Sequence, residues 1–312
     1  MKSKLLLLLI LTGTLGWAQD FRKTATAGFV FLQLPVTARS AALAEASVTL
    51  PDMNSAAVFS NPAGLGFTQQ THSFSASYSN WFADIKHYAA SYSFNSAMGV
   101  FGVGLVALDF GTMARTRRVT GQKVYEITGD FSSSAMALSL SYSRMLTDKF
   151  SFGVSVKYAR EAIDIYSATN ILFDGGVMYY TGFRSLRIGA SIQNFGVETK
   201  YINDPFKMPS VLKLGLASEI VGDMSSEYRV TALVEALHPN DGDEKVNTGI
   251  EMSWKNIVTL RGGYKFFYDE DTYSFGVGLN PNLSVPLQLD FAFANYGRLG
   301  NILRFSLNIG YN

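Results

Sequence analysis

The chain has 312 residues, with 26 Lys and Arg against 25 Asp and Glu. The resulting net charge of +1 offers no electrostatic hold on nucleic acid. Aromatic residues make up 13% and charged residues only 16%, where a soluble domain carries about 25% charged. Cys is absent, which excludes disulfides and thiolate metal sites and leaves hydrogen bonding and packing to hold the chain together.

The first segment reads as a secretory leader. Lys2 and Lys4 precede an apolar run from Leu5 to Leu11, and Gly16-Trp17-Ala18 supplies small residues where a signal peptidase cuts. This predicts a signal peptide over 1–18 and a mature start near Gln19. The run is shorter than the roughly 20 residues a spanning helix needs, and no later stretch approaches that length. A membrane, if entered, is crossed with strands.

Residues 19–70 do not alternate in hydropathy. Pro35, Pro51 and Pro62, the Ala-rich stretch from Ala38 to Ala46, and Asn61-Pro62-Ala63-Gly64 predict an irregular N-terminal segment with one helical turn around Ser40–Ala46. Its position before the first strand predicts both chain ends on the periplasmic side.

From residue 71 to 312 the pattern changes to period two. Between Ser134 and Arg144, Met136, Leu138, Leu140 and Tyr142 fall on one face, and Ala137, Ser139, Ser141 and Ser143 on the other. Similar patterning predicts strands over 71–80, 86–95, 98–110, 132–144, 149–161, 169–180, 184–195, 210–220, 227–237, 244–254, 257–268, 272–279, 283–295 and 301–311. The count is even. Short connections such as Ser96-Ala97 and Lys255-Asn256 alternate with longer ones, of which 111–131 and 196–209 are the longest. Short periplasmic turns alternating with longer outer loops mark outer-membrane barrels, so the expected fold is an all-β transmembrane antiparallel barrel of about fourteen strands.

The two faces differ as lipid and lumen require. One carries Val154, Val156, Tyr158, Leu212, Leu214, Leu216, Phe291, Leu303 and Phe305. The other carries Lys157, Arg187, Lys213, Glu219, Arg229, Glu235, Glu251, Arg261, Lys265, Asp290 and Arg304. An Arg or Lys facing lipid at mid-depth costs about 2–4 kcal/mol, so the charged face is the inner one. That face also holds Gly102, Gly104, Gly153, Gly176, Gly189, Gly215, Gly249, Gly263, Gly276 and Gly278. Glycine within a strand often marks close approach of another backbone, and residues 19–70 are the stretch available to fill the lumen as a hatch or plug.

Chemistry-bearing motifs are sparse. His72, His87 and His238 have no nucleophile motif beside them, and Gly262-Gly263 and Gly276-x-Gly278 lack the strand-to-helix setting of a phosphate loop. Asp241-Gly242-Asp243-Glu244 lacks the further ligands of a calcium loop and reads as an acidic outer loop. No catalytic, cofactor or metal site is expected, and the chain is not expected to be an enzyme.

Two stretches carry a family resemblance. Gly28-Phe29-Val30-Phe31-Leu32-Gln33-Leu34-Pro35, with Ala38-Arg39, Ala42-Leu43 and Asn61-Pro62-Ala63-Gly64-Leu65, forms the first. Ala137 to Tyr142, running through Leu146-Thr147-Asp148-Lys149-Phe150 to Tyr158, forms the second. Together they resemble the PorV/PorQ family of outer-membrane proteins, related to the long-chain fatty acid transporter FadL. The resemblance implies a fourteen-stranded barrel with an N-terminal hatch. Where that family has a Gly-Gly pair, this chain has Ala44-Glu45, and where it has an acidic residue ahead of the hatch Asn, this chain has Asn54.

The expected hatch motif is Arg39 with Asn61, Pro62, Ala63, Gly64 and Leu65. Arg39 is expected to pair with a lumen carboxylate such as Glu235 or Glu251. Asn61 to Gly64 is read either as an ordinary turn into the first strand or as a gating loop. Trp81 and Phe82, in the first outer loop, are read as part of the interfacial aromatic belt or as a partner-binding tip. The resemblance implies an outer-membrane location and a role in type IX secretion, delivering exported proteins with C-terminal signal domains. The partners would then be membrane lipid, a secretion translocon and its cargo. The alternative is a FadL-like channel for hydrophobic small molecules.

Overall fold

The computed structural model describes residues 26–120, 124–281 and 283–312. The expected leader over 1–18, the mature start at Gln19 and the turn residue Asn282 lie outside the described residues.

Fourteen strands form one closed antiparallel barrel. They are β1 His72–Asn80, β2 Lys86–Ser96, β3 Gly99–Arg118, β4 Tyr125–Met145, β5 Phe150–Ile163, β6 Tyr166–Tyr180 and β7 Arg187–Phe195. The second half continues with β8 Val211–Val221, β9 Tyr228–Pro239, β10 Lys245–Trp254, β11 Val258–Phe266, β12 Tyr273–Leu279, β13 Leu287–Asn295 and β14 Asn301–Tyr311. Each strand pairs with its neighbours in sequence. The ring closes where β1 meets β14, from His72 opposite Tyr311 to Asn80 opposite Leu303.

The alternation translates directly into two surfaces. Leu140, Val154, Leu214, Phe275, Leu303 and Phe305 are each at least half exposed on the outer wall. A soluble protein rarely shows so continuous an apolar surface, whereas a bilayer requires it. Charged side chains turn inward: Lys157, Arg187, Glu219, Glu235, Glu251, Arg261, Lys265, Asp290 and Arg304 are all buried.

Three connections differ from expectation. Residues 111–131, expected to be the longest loop, are mostly hairpin: β3 and β4 continue as a paired ribbon through Arg118 and Tyr125. Gly111 (φ 72°) and Gly129 (φ 145°) sit at its two register shifts, so these glycines bend the ladder and do not end it. Above the membrane both faces of a strand meet water, hydropathy stops alternating, and the strand loses its signature. Between β5 and β6 the expected loop shrinks to Asp164-Ile165, with Asp164 left-handed (φ 54°). The 196–209 loop is long as expected but contains a small ribbon, Thr199–Lys200 against Pro205–Phe206.

The expected periplasmic N-terminus lies outside the described residues, and the described stretch begins at the other mouth. Gly28 N–H donates to the Lys207 carbonyl at 3.1 Å, and Ala27 bridges Lys207 in parallel. Lys207 belongs to the long loop at the end of the barrel opposite Tyr311. Residues 28–70 therefore run through the lumen from one mouth to the other. The reason is apolar: Phe29 and Phe31 are buried among Leu108, Ala135, Ala159, Leu172 and Met208, a greasy patch near the outer mouth.

The lipid belt and the ribbon above it make a testable contrast on one strand. Leu140 and Ile127 are both exposed apolar residues of β4. Leu140→Arg should block membrane assembly or cost about 2–4 kcal/mol, whereas Ile127→Arg, above the belt, should fold as wild type. Heat-modifiability on gels and unfolding in urea distinguish the two, and equal tolerance of both would mean that this wall does not face lipid.

Candidate functional site in the barrel lumen

Glycines of adjacent strands lie directly opposite one another on the inner wall. Gly153 faces Gly176, Gly189 faces Gly215, and Gly249 faces Gly263. Each pair removes side chains from a patch of wall, and the N-terminal segment lies in the resulting furrow. A Cβ on Gly276 would strike Ala42, one on Gly263 would strike Leu43 and Ala44, and one on Gly215 would strike Val48. Further round, Gly176 meets Asn61, Gly153 meets Pro62-Ala63, and Gly102 and Gly104 meet Val58. Gly278 differs from the rest: it faces the side chains of Arg261 and Asp290 and makes room for an ion pair.

Along this furrow the segment forms one short helix, α1 Ala38–Ala42, and three 3-10 turns, Val30–Gln33, Asn54–Phe59 and Pro62–Phe67. α1 begins two residues before the expected turn because Thr37 caps it, accepting from the Ser40 N–H at 3.2 Å. It stops before the expected Ala46 because Ala44 (φ 51°) and Glu45 (φ 66°) turn left-handed. This is the place where the resembled family has Gly-Gly, and the backbone here adopts the conformation that glycine favours.

Polar anchors fix the segment. Arg39 donates from Nε and Nη2 to the two carboxylate oxygens of Glu251, both at 2.9 Å, and pairs with Asp52 at 3.0 Å. Of the two expected carboxylates, Glu251 takes the guanidinium. Arg261 also holds Glu251 (2.7 Å) and reaches Asp290 (2.6 Å). Glu235 accepts from the backbone N–H groups of Ser47 and Val48, both at 2.9 Å. Asn61 caps the Pro62–Phe67 turn by accepting from Ala63 N–H at 3.1 Å, and its amide donates to the Val48 carbonyl at 2.8 Å and to that of Val177 at 3.2 Å. The Ser143 and Ser151 hydroxyls donate to the Ala63 carbonyl. Gly64 packs on Ala57, and Leu65 is fully buried. The hatch-motif residues are thus held at two separate places: Asn61 to Leu65 against β4 to β6, and Arg39 against Glu251 of β10.

Trp81 corrects its expected placement. It is buried at 6% exposure, packed edge-on against Tyr296 at 5.0 Å and beneath the Arg304 guanidinium. It belongs neither to a lipid-facing belt nor to a protruding tip. Phe82 is half-buried beside it, 5.0 Å away. The aromatic pair closes over the lumen because Tyr296, in the adjacent β13–β14 connection, offers it a dry surface. The three histidines are dispersed: His72 stacks on Phe94 at the wall, His87 is wholly buried, and His238 meets Glu244 at the rim.

A cavity of about 490 Å³ opens between the segment and the outer halves of β8, β9 and β11. Its apolar side comes from Leu32, Leu34, Val36, Val211, Leu237 and Phe267. Of the charges that line it, Lys265 pairs with Glu45 at 2.5 Å and with Asp271, and Gln33 ties Asp241 of the acidic loop at 3.3 Å; Lys213, Asp243, Lys245 and Asp269 line it as well. Burial pushes the Asp271 carboxyl above the usual carboxylate range, with Lys265 pulling the other way. Sequence reasoning missed this vestibule. Its lining is drawn from the segment, five strands and three loops, and no local pattern links them.

No family model matches the chain, and no curated protein matches it in sequence. Solved structures do resemble it. The toluene transporter TodX of P. putida superposes with a TM-score of 0.62 at 15% identity, covering 88% of this chain and 98% of that one. The toluene transporter TbuX of Ralstonia pickettii gives 0.58 at 15% identity over 88% and 96%. The chain shares the barrel fold of these two transporters.

Two substitutions test the seating of the segment. Ala44→Gly, which relieves a left-handed alanine, should stabilise by about 1 kcal/mol in urea unfolding. Gly153→Leu should leave the barrel closed, since every strand pairing lies within residues 72–311, but should expel Pro62-Ala63 from the wall. Limited proteolysis should then cut residues 58–66 in the variant only.

Proposed function

We propose that this protein is an outer-membrane channel that admits small hydrophobic solutes into its outer vestibule. The observation that carries the reading is the vestibule itself: an apolar-sided cavity of about 490 Å³ beneath the outer loops of the barrel. Its volume suits a single small molecule. The toluene transport named for TodX and TbuX supports the same class of solute. Residues 28–70 act as the plug, so passage depends on space left beside the segment.

The type IX secretion role implied by the PorV/PorQ resemblance draws less support. Trp81 is turned into the lumen, and the long loop at 196–210 is engaged with the chain's own Gly28 and Phe29. Neither offers itself to a protein cargo. The resembling residues, Arg39 and Asn61 to Leu65, hold the segment to the wall, which serves either role.

Adjacent residues of β8 provide the test. Val211 faces the vestibule and Leu212 faces outward. In cells with an intact outer membrane and no hydrocarbon channel of their own, the wild-type protein should raise uptake of labelled toluene. Val211→Trp should reduce that uptake several-fold, and Leu212→Trp should leave it unchanged. Wild-type protein without effect on uptake overturns the reading.

A further inference from the structure

The vestibule and the opposite end of the lumen approach within one layer of side chains. Below the vestibule lies a void of about 10 Å³, the least that holds one water. Arg39, Asp52, Asn54, Gln288 and Asn308 line it, while Thr37, Met53 and Ala56 line both spaces. Gln288 is the second residue of β13 and stands opposite Asn308, which places the void near the periplasmic strand ends. The Asp52 side chain, on the edge of this lower space, is 40% exposed. Thr37, Met53 and Ala56 therefore form a septum between outer vestibule and periplasm.

Of the three, Met53 has the longest apolar side chain, and it belongs to the buried cluster of Leu43, Leu50, Ala56 and Ala57. Thr37 is committed to capping α1, and Ala56 is a single methyl. Met53 is 5% exposed and unbranched, with three rotatable side-chain bonds. The nearest contacts of the wall glycines fall on residues 42–49 and 58–65, and the stretch around Met53 is held instead by Asp52 on Arg39 and Ser55 on Ser73. The segment as a whole is tied at both mouths, by Gly28 to Lys207 and by Thr68, whose carbonyl accepts from the Asn95 amide at 3.0 Å.

We propose that Met53 is the gate of a solute path running from the vestibule, past Thr37 and Ala56, to the Arg39–Asp52 pair and the periplasm. The path opens by rotation of one side chain while the segment stays seated. Rotamer exchange is fast, and a gap one side chain wide selects solutes by cross-section. The lower void holds about one water, so the side chains around it set the cross-section that passes. This inference rests on the channel reading above.

Single barrels in planar bilayers, measured by potassium conductance, test it. Met53→Ala should raise conductance at least tenfold over wild type, and Met136→Ala, on the outer wall, should not. The chain lacks Cys, so Met53→Cys offers one thiol: conductance should be high before, and blocked after, reaction with a bulky methanethiosulfonate reagent. That readout is taken on an already inserted barrel, which keeps the test valid if Met53→Ala assembles poorly. Unchanged conductance in Met53→Ala, or no block of Met53→Cys, overturns the gate. Toluene uptake separates the two readings. If wild type takes up toluene and Met53→Trp does so equally, the gate fails and the channel reading stands. If Met53→Ala conducts ions while wild type moves no toluene, the gate stands and the solute class fails.

Discussion

In hydrocarbon every backbone N–H and C=O must find its partner within the protein, so a sheet that crosses a bilayer has to close on itself. Here the closing contact is the ladder between β1 and β14. Much else follows from it. Closure assigns one face of every strand to lipid and the other to a lumen, and it forces buried charge inward, where it must be paired. It also frees the N-terminal segment from duty in the sheet, since no described residue before Thr71 takes part in the barrel ladder.

The lumen is then an interior to be filled, and the chain fills it with itself. Three cross-strand glycine pairs flatten the wall, so the segment packs backbone against backbone. Such packing has little side-chain specificity, and register falls to the polar anchors. Arg39 between Glu251 and Asp52, Glu235 on two N–H groups, and Asn61 on two carbonyls each fix one point. Buried ion pairs contribute less to stability than to placement, and placement is what a threaded segment needs. Ala44-Glu45 shows the same priority: the left-handed bend is kept without glycine, and Glu45 gains Lys265 as its partner.

Function enters where filling is incomplete. The glycine furrow seats the segment against β5 to β8 and β10 to β12, and the outer ends of β8, β9 and β11 are left facing Leu32 to Val36 across open space. At that rim Lys265 is held between Glu45 and Asp271, and Leu32, Leu34, Val36, Val211 and Leu237 give the space its apolar side. A channel built this way needs no second conformation of its barrel. It needs only side chains that can yield, on a segment that cannot leave.

Much of this was legible in the residues. Period-two alternation gave the strands, because a membrane places lipid on one side and a packed lumen on the other. The inward glycines pointed to a second backbone, and Arg39 to an acidic partner. Where both faces meet water, as in the ribbon above β3 and β4, the alternation vanished and a hairpin looked like a loop. Trp81 read as an interfacial aromatic because its partner Tyr296 is more than two hundred residues away. Which carboxylate takes Arg39, where residue 28 enters, and which side chains enclose the vestibule were decided by the tertiary structure alone. Local pattern records only which face a residue shows; what stands across a closed barrel depends on strand register summed round the ring.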